Sequence, residues 1–272
     1  MRERGARYQQ RAPLASAVNA GGLNSFPCKN LTMRMPRVAG VIRRRLLVNY
    51  RIDPEVVQRQ LPAPFRPKVH GGFAVGGICL IRLEDIRPTL LPAAFGFSSE
   101  NAAHRFAVVW SDAEGDHEGV YIPRRDSGSL VNVLAGGRIF PGEHHRARFS
   151  VMGSGDSVSL RMASSDGTVR VSVDGSVAEA LPAGSIFGSV AEASAFFEPG
   201  SLGYSATSSG RKLDGVLLRV KDWHVDALHV DAVESSYFAE ESLFPRGSTE
   251  FDCALIMRNI AHEWQSAANM YV

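Results

Sequence analysis

The chain has 272 residues, 44% of them hydrophobic and 21% charged, with a formal net charge of +2. That is an ordinary globular make-up, long enough to bury a core without cross-links, and it holds no apolar run near the roughly 18 residues that span a membrane as a helix. Ten of the 30 bases but one of the 28 acids lie in residues 1–45, leaving 20 bases against 27 acids in the rest, so the body is mildly acidic and a nucleic-acid partner is not expected.

Residues 1–35 read as a disordered Arg-rich tail or an over-extended start, with Met33 or Met35 as the alternative beginning. Arg, Gln, Ala, Gly, Asn and Ser follow one another there without a sustained period. The composition is shared with mitochondrial transit peptides, whereas the lack of an apolar h-region argues against a secretory signal. A single β-rich α+β domain is expected over residues 36–268.

Residues 42–51 (IRRRLLVNYR) read as the strand that enters this domain. Asp53-Pro54-Glu55 opens a short helix, with an N-cap, a proline at N1 and an acid in the first turn. Val56, Val57 and Leu61 give it an apolar face, and Pro62 and Pro64 end it. Residues 73–83 (FAVGGICLIRL) are apolar on both faces, as in a central strand. Strands follow at 103–110 and 118–122, with DAEGD between them as a hairpin turn. Ser129 to Leu134 read as one or two helical turns, stopped by Gly136-Gly137. The segments 145–152, 157–164 and 168–173 alternate and are separated by Gly/Ser/Asp turns, which predicts an antiparallel meander. Ser189 and Glu192 form a capping box that opens a helix to about Phe197, closed by Pro199-Gly200. Strands at 215–221, 223–233 and 250–258 complete the chain.

The cysteines, Cys28, Cys79 and Cys253, are too few for a disulfide framework. Cys79 and Cys253 sit in apolar runs and read as small buried hydrophobes in a reducing compartment, which makes a cytoplasmic location the expectation. His144-His145 would diverge in a strand, and His262-Glu263-Trp264 lacks the second histidine of HExxH, so no metal site is expected. The glycine pairs form neither GxGxxG nor a Walker loop, and there is no GxSxG, so no cofactor is expected. Glycines within 71–77 mark bends or close backbone approach.

Two constellations carry chemistry. Glu100 and His104 in SSENAAHR are four apart and share a face in either a helix or a strand. They are either an acid/base pair or a surface pair. Arg124 and Arg125 in EGVYIPRRDSGS are neighbours in a strand, so at most one points inward. They are either a solvated strand end or an anion clamp suited to carboxylate or phosphate.

Five stretches resemble a known family: VNYRIDPEVVQRQLPAPFRP (48–67), GFSSENAAHR (96–105), EGVYIPRRDSGS (118–129), AGGRIFPGEHHRARF (135–149) and GSxEFDxALxMRxIxHEW (247–264). They are similar to the YqjF-like family (domain of unknown function 2071), which is distantly similar to acetoacetate decarboxylase-like proteins. The resemblance implies curved antiparallel sheets forming a cone or barrel around a cavity, with few short helices. Decarboxylases of that superfamily carry Glu-x-x-x-x-Pro-Lys-Lys, whose first lysine forms a Schiff base with a keto acid. Here Glu118 and Pro123 match and Arg124 stands in the place of that lysine. Glu100 matches a cavity carboxylate of the superfamily, and Arg43, counted without gaps, a cavity arginine.

Arginine stays protonated, with a pKa above about 12, and cannot form the imine. None of Lys29, Lys68, Lys212 and Lys221 is flanked like an activated nucleophile. Schiff-base decarboxylation is therefore not expected. Three functions stay open. One is binding of a small anionic metabolite by Arg124, with Glu100 and Arg43 setting its orientation and Glu118 as a further ligand-binding candidate. The second is an enzyme of non-imine chemistry, with Glu100 and His104 as acid/base and Arg124 as anion clamp. The third is a structural or interaction protein. A homo-oligomer is compatible with all three.

Overall fold

The computed structural model describes residues 37–130 and 142–272. The tail and most of the helical turns predicted from Ser129 to Leu134 lie outside them. The described residues belong to one compact unit.

The first half of that unit is a set of long antiparallel strands. β1 (Val38–Ile52) runs into the short helix α1 (Pro54–Gln58), then the two-residue strands β2 (Arg66–Pro67) and β3 (Val69–His70). β4 (Phe73–Pro88), β5 (Phe97–Asp112) and β6 (Gly115–Ser127) follow. The meander is β7 (His144–Met152), β8 (Ser157–Ser164) and β9 (Arg170–Ala178). After helix α2 (Val190–Phe197) come β10 (Leu202–Ala206), β11 (Lys212–Val220), β12 (Asp226–Ser235), β13 (Thr249–Ser266) and β14 (Met270–Tyr271).

Local signals account for both helices. Asp53 accepts a hydrogen bond from the Glu55 N–H at 2.8 Å, and Pro54 sits at the first position. Ser189 accepts from the Glu192 N–H at 3.1 Å, while the Glu192 carboxylate reaches back to the Gly188 N–H at 2.7 Å, one residue beyond the usual box. The strand predictions fall in the right places, and most are shorter than the strands they mark. β5 begins at Phe97 and so takes in Glu100. β13 runs through His262-Glu263-Trp264. β10 was not foreseen.

The strands form one curved sheet that closes on itself. β1 pairs with β4, β4 with β5, β5 with β6, β6 with β10, β10 with β11, β11 with β13, and β13 with β1 again, a ring of seven strands. The meander leaves this ring at β6 and returns through β12 to β13. β6 is the branch point. Its residues Val120–Ile122 pair in parallel with β10, and Arg125–Ser127 pair in parallel with β7. Pro123 stands where one partner is exchanged for the other. Having no N–H, it costs no ladder bond at that break.

Two cores result, one on each face of β1 and β4. Leu46, Val48, Tyr50, Ile78, Leu80 and Phe106 pack toward the meander with Leu160, Val173 and Phe238. Leu47, Val75, Leu255 and Met257 pack on the other face beneath Phe187, Phe196 and Phe197. Each such buried side chain contributes about 1.5–3 kcal/mol. Close backbone approach fixes the β1–β4 contact: a Cβ on Gly77 would lie 2.4 Å from the Val48 carbonyl oxygen. Gly77→Ala is therefore expected to destabilise the fold by about 1–3 kcal/mol. Gly184→Ala, in open space, should change stability by less than about 0.5 kcal/mol. Urea midpoints of the two variants check this; equal midpoints would contradict it.

Candidate functional site: an arginine-lined cavity inside the strand ring

Each of the seven ring strands contributes to the wall of a cavity of about 110 Å³. Arg45 comes from β1, Cys79 from β4, Arg105 from β5, Arg125 from β6, Gly203 from β10, Leu218 from β11 and Trp264 from β13, with His144 of β7 at the branch. Most of the wall is apolar; the polar groups are the three arginines, Asp126, Asn101, Ser201 and His144.

Two irregularities aim the arginines. On β6 the register with β5 passes from Phe106↔Tyr121 to His104↔Arg124, so Arg105 alone opposes Ile122 and Pro123. The extra residue is a bulge. It puts Tyr121 and Arg124 on the outer face and Ile122 and Arg125 on the cavity face. On β1 the register with β4 slips between Ile42 and Arg44. Arg43 is the extra residue. It lies outside, donating to Asn259 Oδ1 at 2.6 Å, and Asn259 itself has a left-handed φ of 56°. Arg44 then turns toward Glu100 and Arg45 into the ring.

The cavity arginines have soft or neutral partners. Arg45 Nε donates to Cys79 Sγ at 3.2 Å. Arg105 Nη2 donates to Asn49 Oδ1 at 2.8 Å, its Nε is buried without a partner, and its guanidinium lies 5.0 Å from the centre of the Phe197 ring. Arg125 Nε donates to Ser205 Oγ at 2.9 Å. No carboxylate pairs with any of the three among the described residues. Burial lowers Arg105 and Arg125 to about 10. It also lowers His144 to about 3, helped by the charge of Arg125, so that ring is neutral at ordinary pH.

The residues singled out in the sequence fall elsewhere. Arg124 lines none of the described cavities. Its Nη2 meets Asp126 and Asp166, each at 2.9 Å, and its Nη1 donates to Thr168, tying β6 to the β8–β9 turn. Burial pulls its pKa down, but Asp126 and then Asp166 more than offset that and raise it. Glu100 is taken up by Arg44 at 2.8 Å. Glu100 and His104 do share a face of β5, away from the cavity, but no hydrogen bond joins them. His104 is fully buried, lies tilted against the Tyr237 ring at 4.5 Å, and has no partner at either ring nitrogen. Burial, then Arg124, lowers it to about 3. Glu118 pairs with Lys68 at 2.6 Å beside a small void that adjoins Arg45 and Arg105. No described lysine lines the main cavity.

The sequence reading missed Arg45 and Arg105, and of the adjacent pair it chose Arg124 over Arg125. The one available signal was Pro123: a proline inside a strand marks a bulge, and a bulge reverses which of two adjacent arginines points inward. A wider cleft of about 1040 Å³ opens between β8, β9 and the residues around Phe244. Its Arg161 and Arg246 are paired with Asp174 and Glu241, while Arg148 and Arg170, which also line it, are solvent-exposed. No group of three or more His, Cys, Asp or Glu side chains that could hold a metal ion occurs among the described residues. No helix among them is long and apolar enough to cross a membrane.

Comparison with known proteins gives the setting. The family model for DUF2071, described as an uncharacterized conserved protein, matches residues 41–250. No curated protein matches the chain. Solved structures with the same fold include an acetoacetate decarboxylase from Legionella pneumophila (TM-score 0.55, 13% identity, covering 95% of this chain and 98% of that one). They also include an acetoacetate decarboxylase-like enzyme from Sphingomonas wittichii RW1 (0.53, 15%, 93% and 99%). A third is the enduracididine biosynthesis enzyme MppR (0.52, 12%, 95% and 98%). The chain therefore belongs to the DUF2071 family and has the fold of the acetoacetate decarboxylase-like structures.

Proposed function

We propose that the ring interior is a receptor for a small carboxylate-bearing metabolite, held by Arg45, Arg105 and Arg125. The observation that supports this is the trio of guanidinium groups lining one small cavity, none of them in a salt bridge among the described residues, while the carboxylate of the wall, Asp126, is taken up by Arg124. An unpaired buried cation is costly, and three facing one volume repel one another. A bound anion supplies the missing countercharge, and planar guanidinium groups match a carboxylate in two-point contacts. About 110 Å³ suits a metabolite of a few heavy atoms; a water molecule takes about 30 Å³. The apolar wall around Leu218 and Trp264 accommodates a short carbon chain. Imine chemistry has no amine here, since no described lysine reaches the cavity. The acid/base role considered for Glu100 and His104 has no support from their position, one being occupied by Arg44 and the other facing an aromatic core.

Calorimetry with pyruvate as probe tests the receptor. The full chain is expected to bind it, and Arg105→Met and Arg125→Met should each weaken binding at least about tenfold, the loss of one charge-assisted hydrogen bond. These two variants should fold as stably as the parent or more so, because an unpaired buried charge is removed. Arg124→Met should do the reverse: affinity retained, stability lowered by about 3 kcal/mol, because Asp126 is fully buried and loses its cation. Unchanged pyruvate affinity in both cavity variants would overturn the assignment.

Affinity should also be flat between about pH 6 and 9, because Arg105 and Arg125, lowered by burial only to about 10, keep their protons across that range. A rise or fall near pH 6.5 would instead implicate a titrating histidine. Borohydride added with pyruvate should leave the protein mass unchanged; a reduced adduct on any lysine would contradict the non-imine reading.

A further inference from the structure

The cavity also contains a thiol. Cys79 projects from β4 between its apolar neighbours Ile78 and Leu80, which face the opposite core. Only 8% of its surface is exposed, and it lines the cavity. Its sulfur accepts from Arg45 Nε at 3.2 Å, and the Arg105 and Arg125 side chains line the same cavity. The nucleophilic form of a cysteine is its thiolate. The second observation is independent of the sulfur. Arg105 is 4% exposed, lines the same cavity, and has a buried Nε with no partner.

Cys253 provides the contrast within the same protein. It sits in a similar apolar strand run and hydrogen-bonds Asn49 Nδ2 at 3.7 Å. It is wholly buried and lines no described cavity. Burial, then the charge of Asp252, pushes its thiol up to about 12. Sequence alone gave the two cysteines the same description, while the fold gives one an electropositive cavity and the other an acidic neighbour.

We propose that Cys79 is the nucleophile of this cavity, adding reversibly to the carbonyl carbon of a small oxo acid whose carboxylate is held by Arg105 and Arg125. The inference rests on the receptor reading above. In the addition a bond forms between Cys79 Sγ and the carbonyl carbon. The π pair moves to the carbonyl oxygen, which takes up the proton that the thiol gave up. The product is a thiohemiacetal; nothing leaves, and nothing is oxidised or reduced. Arg45 steadies the thiolate before attack.

Two measurements on the full chain test this. In the first, iodoacetate and iodoacetamide, alike in size and different in charge, are compared by peptide-resolved mass spectrometry so that each cysteine is read separately. Cys79 is expected to favour iodoacetate, relative to iodoacetamide, by about tenfold more than free glutathione does, the gain of a cationic cleft for an anionic reagent. Excess pyruvate should slow that labelling, and Cys253 should remain unlabelled. In the second, ¹³C-labelled glyoxylate should give a protein-bound thiohemiacetal resonance that Cys79→Ser removes and Cys253→Ser leaves in place.

If pyruvate binds but Cys79 is labelled no faster than Cys253 and glyoxylate gives no adduct, the nucleophile proposal fails and the receptor reading stands. If Cys79 is labelled without preference for the anionic reagent and pyruvate does not bind, the receptor reading fails, and this proposal with it.

Discussion

Much of the arrangement of the site depends on the bulge at Pro123. β6 must leave β10 and take up β7 within a few residues. A proline at the exchange loses no backbone donor that the sheet needs. The extra residue also reverses the side-chain alternation, so Arg125 enters the ring and Arg124 leaves it. One backbone feature thereby joins the meander to the ring, charges the cavity, and provides the outer arginine that fastens the β8–β9 turn through Asp126, Asp166 and Thr168.

The two adjacent arginines illustrate opposite electrostatic solutions. Arg124 is neutralised by two carboxylates, one of them fully buried. Asp166 is itself held below the usual carboxylate range by Ser164 first, with Thr168 and Arg124 adding to the effect. Such a network stabilises a fold and leaves little charge for a ligand. Arg125, Arg105 and Arg45 lack that compensation, so their charge is available, at the cost of a fold that must tolerate it until an anion arrives. Stability and binding are thus separated onto opposite faces of the same strand.

Much of the architecture was legible in the sequence. The Asp53-Pro54 and Ser189–Glu192 caps, the two-faced apolar run at 73–83 and the turn-punctuated meander each have a local cause, and each occurs near its predicted place. The family and the fold followed from motifs along most of the domain. The cavity was legible only in part. Strict alternation cannot tell which of Arg43, Arg44 and Arg45, or of Arg124 and Arg125, points inward once a residue is inserted. That depends on register against neighbouring strands, a property of the closed sheet. Arg105 was hidden for a related reason. Its neighbour His104 drew attention through its spacing from Glu100, yet the residue that reaches the cavity is the one whose alternation matches Cys79 across β4.

The account makes a central structural claim, that an anion belongs among Arg45, Arg105 and Arg125. A crystal of the full chain soaked in pyruvate tests it most directly. The account predicts ligand density inside the strand ring, with the carboxylate within hydrogen-bond distance of Arg105 and Arg125 and the carbon chain against Leu218 and Trp264. Pyruvate bound beside Arg124 or in the wide cleft around Phe244, with only water inside the ring, would contradict it.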